Sequence, residues 1–257
     1  MEHKTLKEQW LTEENTPMQG WNFSHLDGRW SHEDTSWDYG QIVRNYLKSD
    51  DVLLDMGTGD GVFLRTLGHP CHLTHVTEAY PPNVELCIKT LAPLGIGVKQ
   101  VFDDRQLPFA DGTFDLVINR HESFCAQEVS RILKPGGLFL TQQVGGENNI
   151  DLRSVLIPGA VGQFPDHTLQ NNIELAQAQG FEILTREEAF PTTRFYDVGA
   201  IVYFAKIVQW EFPGFSVQSC LPQLWDLQEQ LEKQGFIESR EHRFVLVAKK
   251  PVCASPH

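Results

Sequence analysis

Apolar residues along this chain come in short unbroken runs, each followed by a stretch with helical spacing. Val52-Leu53-Leu54 ends at Asp55, a glycine-rich turn follows, and Val62-Phe63-Leu64 opens a helix. "CHLTHVTEAY" is a second run, ending near Glu78. "PPNVELCIKTLAPLGI" is the next helix, with Pro81 and Pro82 suited to its first turn and Gly95 beyond its end. The rhythm continues with a third strand ending at Asp103-Asp104, a turn at Asp111-Gly112 and a fourth strand from Phe114 to Asn119. A helix stopped by Lys134-Pro135-Gly136-Gly137 leads into a fifth strand carrying Gln142-Gln143. Then come a helix over "LQNNIELAQAQG", a sixth strand near "FEILTREEAF" and a last strand, "HRFVLVAKK". Strands alternating with helices predict an α/β fold: a mostly parallel seven-stranded sheet with helices on both faces. Ligands in such sheets bind outside the carboxyl ends of the strands.

Two segments break the rhythm. Residues 1–49 hold four of the six tryptophans, at 10, 21, 30 and 37, with helical spacing over 38–48. They read either as a cap, in which Trp37, Tyr39 or Arg29 touches a ligand, or as aromatics packed on the body of the domain. Between the last two strands lie about 50 residues, including the apolar helix candidate "YDVGAIVYFAKIVQW". Such an insertion is expected to lie over the pocket as a lid, with Tyr196, Tyr203, Phe204 and Trp210 either lining an apolar cavity or buried by the helix itself. The expected division is 1–49 cap segment and helix, 50–194 core, 195–235 helical lid, and 236–257 last strand and tail.

Charge and composition narrow the function classes. Lys and Arg number 21 against 34 Asp and Glu, a formal net charge of −13. No basic cluster compensates, so nucleic acid is not the expected partner. There is no run of about 18 apolar residues and no signal-peptide pattern at the start, which points to a cytoplasmic location without membrane association. The five cysteines form no C-x-x-C pair, and His69, His72 and His75 straddle a proline-containing loop and a strand, so no metal site is expected.

The candidate chemistry lies in "DVLLDMGTGDGVFL". A phosphate-binding P-loop would end in Gly-Lys-Ser/Thr, which is absent. A dinucleotide fingerprint needs a third glycine where Val62 stands. Gly57, Gly59 and Gly61 instead follow G-x-G-x-G, two places after Asp55. Glu78, 17 residues beyond Gly61, is placed like the acid that bonds ribose hydroxyls in nucleotide-binding α/β folds.

This loop resembles motif I of the Rossmann-like class I S-adenosylmethionine (SAM) methyltransferases. The order acid, "LPF", "DGTFDLV" and then "RILKPGG" resembles the group containing the ubiquinone and menaquinone C-methyltransferases, the "Methyltransferase type 11" domain. The resemblance covers about residues 50–145. It implies SAM as cofactor, bound by Asp55, Gly57, Thr58, Gly59, Gly61, Glu78, Asp103, Asp104 and Asn119, with Asp103 accepting from the adenine amino group and Asp104 offering its backbone N–H. The implied activity is methyl transfer to a small, planar or apolar molecule, by a monomer or homodimer. The alternatives are a base methyltransferase of ribosomal or transfer RNA and a SAM-binding protein without catalysis. The loop after the fourth strand, "NRHESF", is where the chemistry is expected. His121 is the candidate base or a structural residue, Arg120 the candidate holder of an anionic group, and Glu122 a weaker base. Tyr39, Trp37, Gln143, Tyr196 and Tyr203 are the candidate substrate contacts.

Overall fold

The computed structural model describes residues 2–18 and 23–252, so Trp21 and Cys253 lie outside the described residues. In chain order the elements are α1 (Glu2–Glu14), β1 (Trp30–His32), α2 (Tyr39–Tyr46), β2 (Leu53–Met56), α3 (Val62–Thr66), β3 (Thr74–Glu78), α4 (Pro81–Thr90), β4 (Gly97–Gln100), β5 (Phe114–Arg120), α5 (Ala126–Ile132), β6 (Leu133–Val144), α6 (Ile150–Leu156), α7 (Leu169–Ala178), β7 (Glu182–Ala189), β8 (Thr192–Phe195), α8 (Val198–Ile207), α9 (Leu221–Gln234), β9 (Ile237–Arg240) and β10 (Arg243–Lys249). They divide into two compact units. One, the sheet unit, comprises residues 36–143, 169–188 and 244–257. The other, the accessory unit, comprises 1–35, 144–168 and 189–243.

In the sheet unit seven strands run in the order β4-β3-β2-β5-β6-β10-β7, and the pairs β4–β3, β3–β2, β2–β5 and β5–β6 are parallel. All four residues of β2 are buried, as a strand covered on both faces must be. Register fixes what each face presents. Leu54, Val117 and Phe139 align across β2, β5 and β6, and with Val129, Ile132, Ile173 and Ala176 of α5 and α7 they build one core. Asp55, one residue on from Leu54, therefore points to the opposite face.

The third strand is shorter than its apolar run suggested. β4 stops at Gln100, and only Val101 reaches back, to the Glu78 carbonyl, which leaves Asp103 and Asp104 in a loop. The fifth strand is longer: pairing starts at Leu133, ahead of the Pro135-Gly136-Gly137 turn, and the register then shifts between Phe114 and Leu116. Gly136 sits at φ 79°, a conformation only glycine adopts without strain.

The accessory unit is more than the expected lid. It has its own antiparallel sheet, β1-β8-β9, and a core of Trp10, Phe195, Ile201, Tyr203, Phe212 and Leu224, among others. Its helices are α1, α6, α8 and α9. α8 is buried along nearly its whole length and is capped by Asp197, whose side chain accepts from the Ala200 N–H. The stretch 195–235 is thus bound up with residues 1–35, 144–168 and 237–240 in one core. The expected boundaries at 49, 194 and 235 do not coincide with the observed divisions.

Candidate active site

The site is built at the carboxyl ends of β2, β3 and β5. After Met56 the chain turns through Gly57, Gly59 and Gly61, all at positive φ (67°, 63° and 73°). At Gly57 a Cβ would sit 2.4 Å from the Glu122 Cγ, and at Gly61 one would sit 2.7 Å from the Leu91 Cδ1; the space above Gly59 is open. Glycine is therefore required twice for room and three times for backbone conformation. Thr58 anchors the turn from both directions: its N–H donates to the Thr77 carbonyl (3.0 Å) and its hydroxyl to Asp55 Oδ2 (2.7 Å).

Glu78 closes the loop from the next strand. Its Oε2 accepts from the Gly59 N–H (2.7 Å), and its Oε1 accepts from the Ala79 and Tyr80 N–H groups (3.0 Å each). An ionised carboxylate has about four lone-pair positions, so one remains for a further donor. Cys87 donates to the Gly59 carbonyl, and burial, followed by the nearby Glu78 and Asp55 charges, pushes its thiol up to about 11; it is inert at neutral pH.

Carboxylates dominate the electrostatics. Burial pushes Asp55 up to about 7, opposed by the Thr58 hydroxyl and the Arg120 charge and reinforced by Glu78. Burial also raises Glu122, with Asp104 and Glu78 adding to the effect, and it raises Asp104. Asp103 differs: the exposed Arg105 holds it by two hydrogen bonds (2.9 and 3.0 Å) and lowers its pKa. Asp104 instead accepts a very short hydrogen bond from the Ser123 hydroxyl. The two neighbouring aspartates thus face different partners, and it is Asp104 that meets the loop after β5.

That loop is tightly held. Asn119, fully buried, accepts at Oδ1 from Thr141 and from Gln143 Nε2 (2.6 Å), and its Nδ2 donates to the Ser123 carbonyl. Gln143 also donates to the Glu122 carbonyl (3.0 Å). Within the loop, Arg120 lies over the Phe63 ring, 4.4 Å from its centroid, His121 adopts φ 62°, and Glu122 covers Gly57. A non-glycine residue in the left-handed region costs roughly 1 kcal/mol or more and persists where its surroundings hold it there.

The expected substrate contacts separate into two groups. Tyr39 is buried, and its hydroxyl donates to the Asn119 and Leu140 carbonyls and accepts from the Asn119 N–H. Burial raises its pKa, so it is a neutral strut of the sheet, not a pocket liner. Gln143 likewise serves the loop. Tyr203 is core of the accessory unit, and in that unit the half-exposed Tyr196 shares a hydrogen bond with Ser31. Arg29 there is committed to Asp197 and Glu13. Trp37 does reach the site's edge: its indole donates to Gln142 Oε1 (2.8 Å). Ser123 was not singled out in the sequence, although its place in "NRHESF" next to Glu122 was the available signal, while Gln142, read with Gln143 at the end of the fifth strand, is the partner of Trp37.

The model of a methyltransferase domain matches residues 54–141, the span from β2 into β6 that carries the glycine turn, Glu78, Asp103, Asp104 and the loop after β5. Over that span the chain is similar to this methyltransferase domain family. The chain is 33% identical over 96 residues to a probable phthiotriol/phenolphthiotriol dimycocerosates methyltransferase 2 of Mycobacterium ulcerans; the match covers 35% of this chain and 36% of that relative's length. Among solved structures it is similar to a putative methyltransferase of Bacillus halodurans (16% identity, TM-score 0.54, 83% of this chain and 99% of the other). It is also similar to phosphoethanolamine N-methyltransferase 2 of Haemonchus contortus, solved with SAM (15% identity, TM-score 0.51, 96% and 57%). At these identities the structures share the fold.

SAM, the family's cofactor, fits the residues present. It carries a sulfonium, an ammonium and one carboxylate, a net positive charge, and the glycine turn is bordered by Asp55, Glu78 and Glu122, with Asp104 on Ser123 of the next loop. Asp55, Asp104 and Glu122 have carboxyl groups raised chiefly by burial and further by neighbouring carboxylates, which a cation relieves. The open space over Gly59 lets a ligand approach the backbone.

Proposed function

We propose that this protein transfers a methyl group from SAM to a small molecule. The observation that carries the reading is the pairing of a carboxylate-ringed glycine turn with a pinned Arg120-His121-Glu122 loop on the adjacent strand, Met56 and Asn119 being register partners. SAM supplies an electrophilic methyl group on sulfur. The protein's part is to bind, align and exclude water, since alignment and desolvation carry most of such a transfer.

Glu78 offers its remaining lone pair to the ribose, and the buried acids Asp55 and Glu122 favour a cationic ligand over a neutral one. Asp103 turns to the adenine amino group by exchanging its Arg105 partner, with the Asp104 backbone N–H beside it. Arg120, held flat on Phe63, meets an anionic group of the acceptor. A small, planar or apolar acceptor is favoured over RNA because the charge of −13 opposes phosphate binding. The protein works in the cytoplasm as a monomer or homodimer.

The test is calorimetric titration with SAM and with NAD, followed by chromatography of SAM incubated with protein and a cell metabolite extract. Binding of SAM and extract-dependent formation of S-adenosylhomocysteine are expected. NAD binding without SAM binding refutes the cofactor assignment. SAM binding without turnover in any extract refutes the catalytic one.

A further inference from the structure

His121 is the obvious candidate base, and its ring nitrogens are not equivalent here. Trp37 Nε1 donates to Gln142 Oε1 at 2.8 Å, and Gln142 Nε2 lies 3.0 Å from His121 Nε2. An indole N–H can only donate, so the Gln142 amide has its oxygen toward Trp37 and its NH2 toward the imidazole. An NH2 group can only donate in turn. His121 Nε2 is therefore an acceptor, and the proton of the neutral ring resides on Nδ1.

The backbone makes this arrangement rigid. Arg120 pairs with Gln142 across β5 and β6, the His121 N–H donates to the Gln142 carbonyl (2.8 Å), and the left-handed φ of 62° turns the His121 ring toward the Gln142 side chain. Trp37, 9% exposed, immediately precedes Asp38, which caps α2 by accepting from the Gln41 N–H. Tyr39, one residue further, is tied to the backbone of β5 and β6.

We propose that Trp37 and Gln142 are positioning residues that fix His121 in its Nδ1–H tautomer, so that His121 serves methyl transfer as an oriented hydrogen-bond donor and not as a base through Nε2. The functional half of this rests on the methyltransferase reading above; the tautomer does not. It also narrows the acceptor: the attacking atom either carries no proton that must be lost to His121 or loses it to a neighbouring carboxylate such as Glu122 or Asp104.

The test is nitrogen NMR of the full-length protein with labelled histidine. The chain has ten histidines, so the His121 signals are assigned by their loss in His121→Gln. In the wild type, Nε2 should resonate as an unprotonated, pyridine-type nitrogen. Trp37→Phe, which removes the indole donor and releases the amide, should shift the ring toward the Nε2–H form that predominates for histidine in water. Gln142→Glu, which puts a carboxylate where the NH2 stood, should move the proton onto Nε2 outright. SAM calorimetry on the same samples reports folding and the cofactor reading independently. A protonated Nε2 in the wild type, or variants that bind SAM and keep the wild-type histidine spectrum, overturns the relay while leaving the methyltransferase assignment intact.

Discussion

Replacing Asp55 with Asn should raise the stability of the SAM-free protein relative to the wild type progressively as pH rises from 4 to 8, and weaken its hold on SAM. The Asp55 carboxyl is pushed from its ordinary 3.8 up to about 7 by burial. The folded state therefore holds this proton more tightly than the unfolded chain does. Stability contributed by the protonated form is complete below about pH 4 and is lost as pH rises through 7. A shift of roughly 3 units corresponds to about 4 kcal/mol at 1.36 kcal/mol per unit, which is an upper figure for a group that relaxes its surroundings when it ionises. Asn keeps an oxygen for the Thr58 hydroxyl but introduces an NH2 that costs about 1–3 kcal/mol if it finds no acceptor. The signature is therefore a slope and not an offset. The stability of Asp55→Asn minus that of the wild type should rise by up to about 4 kcal/mol between pH 4 and pH 8. Urea unfolding of both proteins at pH 4, 6 and 8 without SAM measures it. A difference that stays flat with pH, or falls, refutes the claim that a buried, strained carboxylate is kept there for a cationic ligand.

Three further perturbations follow from the same geometry. Glu78→Ala removes the acceptor for three backbone N–H groups as well as the ribose contact, so SAM affinity should drop at least about tenfold and the melting temperature should fall with it; calorimetry showing unchanged affinity would contradict the assignment. Gly57→Ala should lower the melting temperature more than Gly59→Ala, because its Cβ meets Glu122 whereas Gly59→Ala adds only the left-handed strain of about 1–2 kcal/mol to the SAM-free protein, and Gly59→Ala should still weaken SAM binding by filling the open space above the turn; equal effects of the two on the melting temperature would argue against the contact. SAM binding near pH 7 should release protons, because a cation lowers the carboxyl groups it meets, and S-adenosylhomocysteine should release fewer; titrations in buffers of different ionisation enthalpy test this, and equal release would refute it.

Much of the sheet unit was legible because its signals are local. Val52-Leu53-Leu54 is a buried parallel strand, the glycine spacing dictates a backbone that only glycine follows easily, and Glu78 is held in place by its strand. The accessory unit was not legible, because its sheet is made of strands of three and four residues drawn from 30–32, 192–195 and 237–240, and pairing at such separations leaves no local pattern. For the same reason residues 195–235 read as a helical lid, although α8 contributes much of a core; deleting residues 195–215 would remove that part of the core along with any lid. Within the site, the split between Asp103 and Asp104 turns on the side chains of Arg105 and Ser123, and the tautomer of His121 turns on an indole more than 80 positions away along the chain. Residue type and spacing announce such partners no more than they announced that Tyr39 would be a strut.

The central claim is methyl transfer to a small molecule, and its most direct measurement follows the methyl group itself. Purified protein is incubated with methyl-labelled SAM, once with the ultrafiltered small-molecule fraction of a cell extract and once with total RNA, and the products are resolved by mass spectrometry. A low-molecular-weight species that gains one methyl only when protein and SAM are both present, with no label in RNA, is the predicted result. Label in ribosomal or transfer RNA, with none in the small-molecule fraction, would contradict it.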